Sequence, residues 1–521
     1  MPLRVAASLT WTNQTLLTSA LVLLTASLGI WTQAVLAATL GLSGASDAYF
    51  SALNLTSMAT FVLSTTVVNR VVPELARQLD PMDLPTGQFW VAARRATNRI
   101  GVISAIAAVT LFLAPEWAIS LVAPGLAGAS RDLAVASLRV MSLPLGLNLA
   151  SSAFAAVQYA LRRQAVVQAT GPLYSLAVIP SLIWLTPLVG PISPSIGTAI
   201  SFVLMFAALA VSTGVAARRR VSMLTVASVR TSPPALLLVV LAAVLSYGWV
   251  VVGPIIASTL AEGTIAQVTF AFRPVDVLSR ALPMVIGYSV MPTLAAAHTR
   301  EDWAHLESTA SEALRLALGA TVPIAALLIA LREPLVAVVY QRSAFSAEAA
   351  RAVAPTLGWY ASSLPGYGLI ILLTLMFLSV GREGAAVVLS AAFLLLQLPL
   401  GWVLGQAFGG IGVASGFSVA ALLVAPAGVV ASGRHDVRGL LVAAWFRWTL
   451  AGAAGALLLG TLASDLTYGV PGLVRLLIGF SVGSAPAIVG FLAGHEPLRE
   501  AVRGKLTSLR LRPVPQPEDV P

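Results

Sequence analysis

Val72-Pro73-Glu74-Leu75-Ala76 closes one long apolar run, and Met291-Pro292-Thr293-Leu294-Ala295 closes another, so that Pro292 answers Pro73. The echo continues in order along the chain. Leu143-Pro144-Leu145-Gly146 returns as Leu364-Pro365-Gly366, Arg162 as Arg382, and Ile196-Gly197-Thr198-Ala199 as Ile411-Gly412-Val413-Ala414. Four matches in order at nearly constant spacing predict a duplicated bundle. Many membrane transporters are built this way, with the binding site between the repeats.

The composition fits a membrane. Of 521 residues, 58% are hydrophobic and only 10% charged, whereas roughly a quarter are charged in a soluble domain. Apolar runs of about 20 residues, enough to cross a hydrocarbon core, recur throughout. The first starts near Leu16 and continues past Leu36 with no small-residue cleavage site, which predicts a retained span. Fourteen spans are expected, at 15–38, 48–72, 89–113, 132–160, 166–188, 193–217, 233–260, 264–295, 307–330, 348–379, 385–406, 410–432, 440–463 and 470–493. The fold class is therefore all-α: a polytopic membrane protein of two six-helix repeats plus two C-terminal helices. The expected divisions are a first lobe over 1–225, a second over 226–435, two added helices within 436–496, and a basic tail over 497–521.

Charge supplies an independent test. Net charge is +10, and Lys505 is the only lysine. If the N-terminus is cytoplasmic, the inside loops and span ends hold Arg70, Arg77, Arg94, Arg95, Arg162, Arg163, Arg218, Arg219, Arg220, Arg230, Arg300, Arg382, Arg434 and Arg438. The outside loops hold Arg131, Arg332 and Arg342. This asymmetry follows the positive-inside rule, with both termini inside, and accounts for the basic balance without nucleic acid. The absence of cysteine excludes disulfides and thiolate metal sites, and His298, His305, His435 and His495 are scattered. No metal site and no cofactor is expected. No phosphate-binding GxxxxGK[ST] loop and no paired carboxylates are present, so no catalytic residue is assigned.

The residues that cost most in a membrane lie in span 8, Phe270-Ala271-Phe272-Arg273-Pro274-Val275-Asp276-Val277-Leu278-Ser279-Arg280. Arg273 stands nine residues into that span, about 14 Å of helix rise. Such a charge facing lipid costs at least about 2.5–3.5 kcal/mol. Arg273, Asp276 and Arg280 fall on one helical face, which must look into the bundle or a watery cavity. Two arginines against one aspartate leave a positive stripe suited to an anionic head group, a guanidinium fork matching phosphate. The plainer reading is an Arg–Asp pair that neutralises itself and fixes packing. Pro274 and Pro283 interrupt the backbone ladder of the same span. Span 2 is polar, with Asn54, Thr56, Ser57, Thr60, Ser64, Thr65, Thr66 and Asn69; it serves either close helix packing or a wet cavity wall. Asp47 reads as a cap or first-turn acid at the start of span 2. Gly401-Trp402-Val403-Leu404-Gly405 reads as helix packing.

Several of these stretches resemble the MurJ/MviN family of lipid II flippases, within the multidrug/oligosaccharidyl-lipid/polysaccharide exporter superfamily. They are Ser46-Asp47-Ala48-Tyr49-Phe50 after Gly41 and Gly44, Val71-Val72-Pro73-Glu74-Leu75, and Val290-Met291-Pro292-Thr293-Leu294. Glu333-Pro334-Leu335-Val336 through Tyr340-Gln341-Arg342-Ser343-Ala344-Phe345-Ser346 is similar to that family's EPL…L(F/Y)xRGAF signature. The resemblance runs from about residue 15 to 430. It implies fourteen spans and a cavity arginine at Arg273 with an acid at Asp276. Phe272 stands where an acidic partner is usual. The two span-1 arginines of the family are missing from Thr25-Ala26-Ser27-Leu28-Gly29-Ile30-Trp31-Thr32, and a span-2 arginine is replaced at about Thr60. An arginine introduced at Thr32 is expected to be tolerated on the same resemblance. No acid lies in 233–260 or 385–406, so the sodium site of some relatives is not expected.

The expected function is outward flipping of a polyprenyl-pyrophosphate-linked glycan precursor, lipid II or similar, across the inner membrane. Arg273, Asp276, Arg280, Asn54 and Thr60 are the expected substrate-binding residues. The substrate and the membrane are the partners, with cell-wall synthesis proteins as further candidates and no nucleic acid. Two alternatives stay open: a proton-coupled multidrug or metabolite antiporter of the same superfamily, and a non-transporting cell-wall scaffold. Orientation is directly testable because the chain has no cysteine. Arg219→Cys is expected to resist a membrane-impermeant thiol reagent in intact cells and Ala129→Cys to react; the reverse labelling would overturn the orientation.

Overall fold

The structure, a computed structural model, describes residues 2–79, 85–217, 235–431 and 444–494, and every element among them is helical. The basic loop with Arg218, Arg219, Arg220 and Arg230, the loop with Arg434 and Arg438, and the expected basic tail over 497–521 lie outside the described residues. The helices run in order α1 (Pro2–Leu40), α2 (Gly44–Ala76), α3 (Gly87–Leu113), α4 (Pro115–Val122), α5 (Gly128–Ala160), α6 (Gln164–Gln168), α7 (Pro172–Pro180), α8 (Thr186–Val189), α9 (Ser193–Ala217), α10 (Ala235–Ser258), α11 (Thr264–Thr299), α12 (Trp303–Ala330), α13 (Arg332–Tyr340), α14 (Ala347–Ser362), α15 (Leu364–Ser379), α16 (Glu383–Phe408) and α17 (Gly410–Ala431). Two C-terminal helices follow, Ala444–Leu466 and Gly472–Gly494.

Among the described residues, ten stretches are long and apolar enough to cross a membrane, and eleven if α14 and α15 count as one span. The stretch Gln164–Ala217 has 54 residues, about twice what one crossing needs. It turns back at Gly190 (φ +72), and α7 packs along α9. With α10 and α11 as further long helices, fourteen crossings are compatible with the fold. The expected span over 348–379 is two helices bent by 46°. Pro365 accounts for the break: it sits in the first turn of α15 and has no amide to continue the ladder from α14.

The repeat reappears in the backbone at one constant offset. α5 begins at Gly128 and α14 at Ala347; α6 begins at Gln164 and α16 at Glu383. Left-handed φ values recur at Arg162 (57°) and Gly381 (71°), and at Gly190 (72°) and Gly409 (60°). The residue after the first pair closes the same hydrogen bond in each copy. Arg163 N–H donates to Gln158 O and Arg382 N–H to Phe377 O, each at 2.8 Å. The counterpart of Arg382 is therefore Arg163, one place from the sequence match, because the turn and not the charge sets the register.

The chain packs as two compact units. The first comprises Met1–Val277, Val339–Thr356 and Gly384–Ala420. In it α5 lies against α2, α3 and α9, and α10 lies against α2. Gly401 and Gly405 meet Ile256 of α10, while Gly412 and Gly416 of α17 close on the α16 backbone at Leu404 and Gly401. The GxxxG pair thus serves close approach. The second unit comprises Leu278–Val338, Leu357–Glu383 and Ala421–Pro521. There α12 packs on α15 and on Ala444–Leu466. The two C-terminal helices touch through Gly452 and Gly490.

Gly41 ends α1 with φ +62, and a Cβ there would sit 2.5 Å from the Ala344 carbonyl oxygen. Gly41→Ala is expected to destabilise the protein by about 1–3 kcal/mol through left-handed strain and overlap together. Gly214 lies inside α9 with nothing within 4 Å of its Cβ position, so Gly214→Ala is expected to stabilise by about 0.5–1 kcal/mol. Thermal unfolding in detergent measures both.

Candidate functional site

The first four amides of a helix have no partner within it. α2 and α11 meet that need reciprocally. Ser43 caps α2 in a capping box with Ser46. Asp47, in the first turn of α2 and only 3% exposed, points away from its own helix. Its carboxylate accepts the Gly263 N–H at 2.6 Å and the Ala266 N–H at 2.7 Å, at the start of α11. In return Glu262, just before α11, accepts the Gly44 N–H at 2.7 Å, at the start of α2. A carboxylate at a helix N-terminus is favoured by the charge-assisted bonds and by the helix dipole. Asp47 lies in the expected first turn, but the amides it holds belong to another helix. Glu262 was not singled out, because an isolated Glu-Gly pair before a span carries no periodic signal.

Next along α2, Tyr49 and Phe50 are fully buried. The Tyr49 hydroxyl is 2.8 Å from that of Tyr174 and 3.1 Å from Thr198 Oγ1. The Phe50 ring stacks edge-on to Phe270, centroids 5.2 Å apart, and Phe270 contacts the rings of Tyr340 and Phe345. The segment after α13 is anchored beside this cluster by the Ala344 N–H, which donates to Ala38 O at 3.1 Å. The signature stretch ending in Phe345 therefore packs against both α1 and α11. Gln267 of α11 ties α14 through Thr356 Oγ1 at 2.9 Å.

Beyond the cluster stands Arg273. Its side chain is 43% exposed, against 13% for Asp276. Arg273 Nη1 and Asp276 Oδ2 are 3.8 Å apart, longer than a charge-assisted hydrogen bond of about 2.7–2.9 Å. The pair attracts without locking the guanidinium fork, so N–H groups remain available to a ligand. The Tyr49, Tyr174 and Tyr340 hydroxyls lie within electrostatic reach of the guanidinium. Arg280 follows on α11, and its side chain lies outside the described residues.

On α2, Asn54 occupies the position that the repeat offset pairs with Arg273, and each lies about three turns from a helix start that the other helix holds. Asn54 Nδ2 is buried and meets no acceptor among the described residues. Thr60 is committed: its hydroxyl donates to Thr56 O at 2.8 Å and accepts from Asn148 Nδ2 at 3.2 Å. Thr32 is fully buried, and its hydroxyl donates to Leu28 O at 2.9 Å. An arginine introduced there starts from a buried position, so its neighbours have to give way to admit it.

A family model described as "Lipid II flippase MurJ" matches residues 36–488. A curated relative from Synechocystis sp., described as a probable lipid II flippase MurJ, is 27% identical over 143 residues. That match covers 27% of this chain and spans about a quarter (26%) of the relative's length. Among solved structures, a lipid II flippase MurJ in an inward closed conformation superposes with TM-score 0.75 at 18% identity, covering 94% of this chain and all of that one. An inward-facing multidrug resistance MATE family transporter of the MOP superfamily gives TM-score 0.62 at 16% identity, covering 78% of this chain and 94% of its own. At these identities the structures establish the fold alone.

Removing the Asp47 carboxylate strands two buried amides. Asp47→Ala is expected to lower stability by about 2–4 kcal/mol, and Asp47→Asn, which keeps one acceptor oxygen, by roughly half as much. Thermal melting in detergent reads both; equal losses would show that acceptor geometry does not set the tie.

Proposed function

The chain belongs to the lipid II flippase MurJ family, and from that premise we propose that it moves a polyprenyl-pyrophosphate-linked glycan precursor, lipid II or a close chemical relative, to the outer leaflet by alternating access. The observation that carries the reading at the site is Arg273: a half-exposed guanidinium about three turns inside a long helix, only loosely paired with Asp276. A permanent cation at that depth requires a compensating anion or water. A pyrophosphate supplies the anion, and the planar fork matches its oxygens two at a time.

In this reading Asp276 orients Arg273, Arg280 adds a second positive charge, and the Asn54 amide, which meets no acceptor among the described residues, donates to the sugar. Thr60 contributes through its hydroxyl bridge to Asn148. The polyprenyl tail stays in lipid. The moving bodies are the lobes over 1–225 and 226–435, with the helices within 436–496 and the tail over 497–521 appended. The protein sits in the bacterial inner membrane with both termini cytoplasmic. The starts of α2 and α11 then face outward, so the Asp47 and Glu262 ties act as the closed outer gate and must part for release. Cell-wall synthesis proteins are candidate partners. Uncharged residues at the span-1 and span-2 positions leave Arg273 with fewer helpers, which makes the site more dependent on it.

The test is outward appearance of labelled lipid-linked precursor in cells depleted of their own flippase, at matched protein levels. Arg273→Ala is expected to lower transport at least about tenfold, as for loss of a charge-assisted contact. Arg273→Lys is expected to keep part of it, and Asp276→Asn to cost less than the loss of the arginine. Full transport by Arg273→Ala would refute the phosphate role. Rescue of growth without any precursor movement would favour the scaffold alternative.

A further inference from the structure

Pro274 creates a local problem that its neighbour Arg273 inherits. In an α-helix the amide of residue i+4 donates to the carbonyl of residue i, and proline has no amide to donate. In α11 the carbonyl deprived by Pro274 is that of Phe270. Phe270 is fully buried at membrane depth, where no water replaces the missing donor. The structure supplies one from another segment: the Tyr340 hydroxyl donates to Phe270 O at 3.1 Å.

Tyr340 is well placed to do this reliably. It is the last residue of α13 and 2% exposed. Its ring rests against Phe270 at 5.2 Å and Phe345 at 5.8 Å between centroids. Phe345 is fixed in turn through the neighbouring Ala344 amide on Ala38 O. The phenol is thus clamped on the side of α11 where the proline opens the ladder, one turn before the Arg273 side chain. A helix with an unmet carbonyl at a proline bends or admits another donor, and either change re-aims the residues just beyond it.

We propose that Tyr340 is a positioning residue for the anion site: its hydroxyl stands in for the amide that Pro274 lacks, and so fixes the direction in which α11 presents Arg273. The inference rests on the reading of Arg273 as the phosphate-gripping group. It explains why a phenol, and not merely a ring, ends α13. The ring alone satisfies the packing; only the hydroxyl meets the carbonyl.

The test measures affinity of the purified full-length chain in detergent for lipid II, with Arg273→Ala as reference. Tyr340→Phe is expected to weaken binding about fivefold, the worth of one hydrogen bond to a buried carbonyl. Adding Pro274→Ala, which returns an amide to Phe270 O, is expected to bring affinity back to within about twofold of the parent. A merely structural role for the ring predicts no such rescue. Parental affinity in Tyr340→Phe, or a double variant no better than Tyr340→Phe, overturns the proposal. If Tyr340→Phe does not accumulate, recovery of folded protein by Pro274→Ala supports the shared carbonyl, and failure to recover overturns it. Parental affinity in Arg273→Ala would instead refute the anion-site reading itself, so the two failures are distinguishable.

Discussion

A backbone amide or carbonyl inside a membrane has to find its partner within the protein. Helices satisfy this along their length and fail at their ends and at their prolines. This chain carries both kinds of failure close to its charged residues. At the ends of α2 and α11 the remedy is mutual, with Asp47 holding two amides of α11 and Glu262 holding one of α2. The two acids stand at helix starts, where the dipole favours negative charge. The tie therefore stabilises both helix ends and fixes their relative depth in one arrangement.

That depth decides what Arg273 and Asn54 can do. Counting from tied ends, both fall at a comparable level, and their separation in sequence is the offset at which the turns and helix starts recur. Duplication gave the two repeats the same frame, and divergence then placed a cation on one helix and a neutral amide on the other. In the function proposed above, this asymmetry serves a ligand with a charged end and a hydroxyl-rich end. The aromatic cluster of Tyr49, Phe50, Phe270, Tyr340 and Phe345 lies between the tie and the arginine. Its dense apolar packing raises the cost of leaving any polar atom there unmet, so the hydroxyls of Tyr49 and Tyr340 have named acceptors or donors.

Small residues set the other constraint. Helices in lipid gain little from apolar burial against each other and rely on close backbone approach. Gly401, Gly412 and Gly416 let α16 and α17 come together, and Gly452 and Gly490 do the same for the two C-terminal helices. The glycine at position 41 has a different reason, since a left-handed φ and the Ala344 carbonyl both forbid a side chain there.

The sequence by itself determined the helical class, the repeat and a set of spans compatible with the helices described, because apolar length and proline-bearing echoes are local and periodic signals. It also singled out Arg273 and Asp276, since a charge deep in an apolar run is conspicuous without any neighbour in view. Tertiary structure decided the rest. Asp47 was legible as a first-turn acid, but its amides belong to α11, far along the chain in the second repeat. Tyr340 was legible as part of a family-like signature, yet its carbonyl partner follows only from where α13 ends against α11. Thr32 stands where the resemblance places an arginine, and its burial follows only from the packing around it. Hydrogen-bond partners are chosen by proximity in space, and proximity between segments leaves no trace in the spacing of either one.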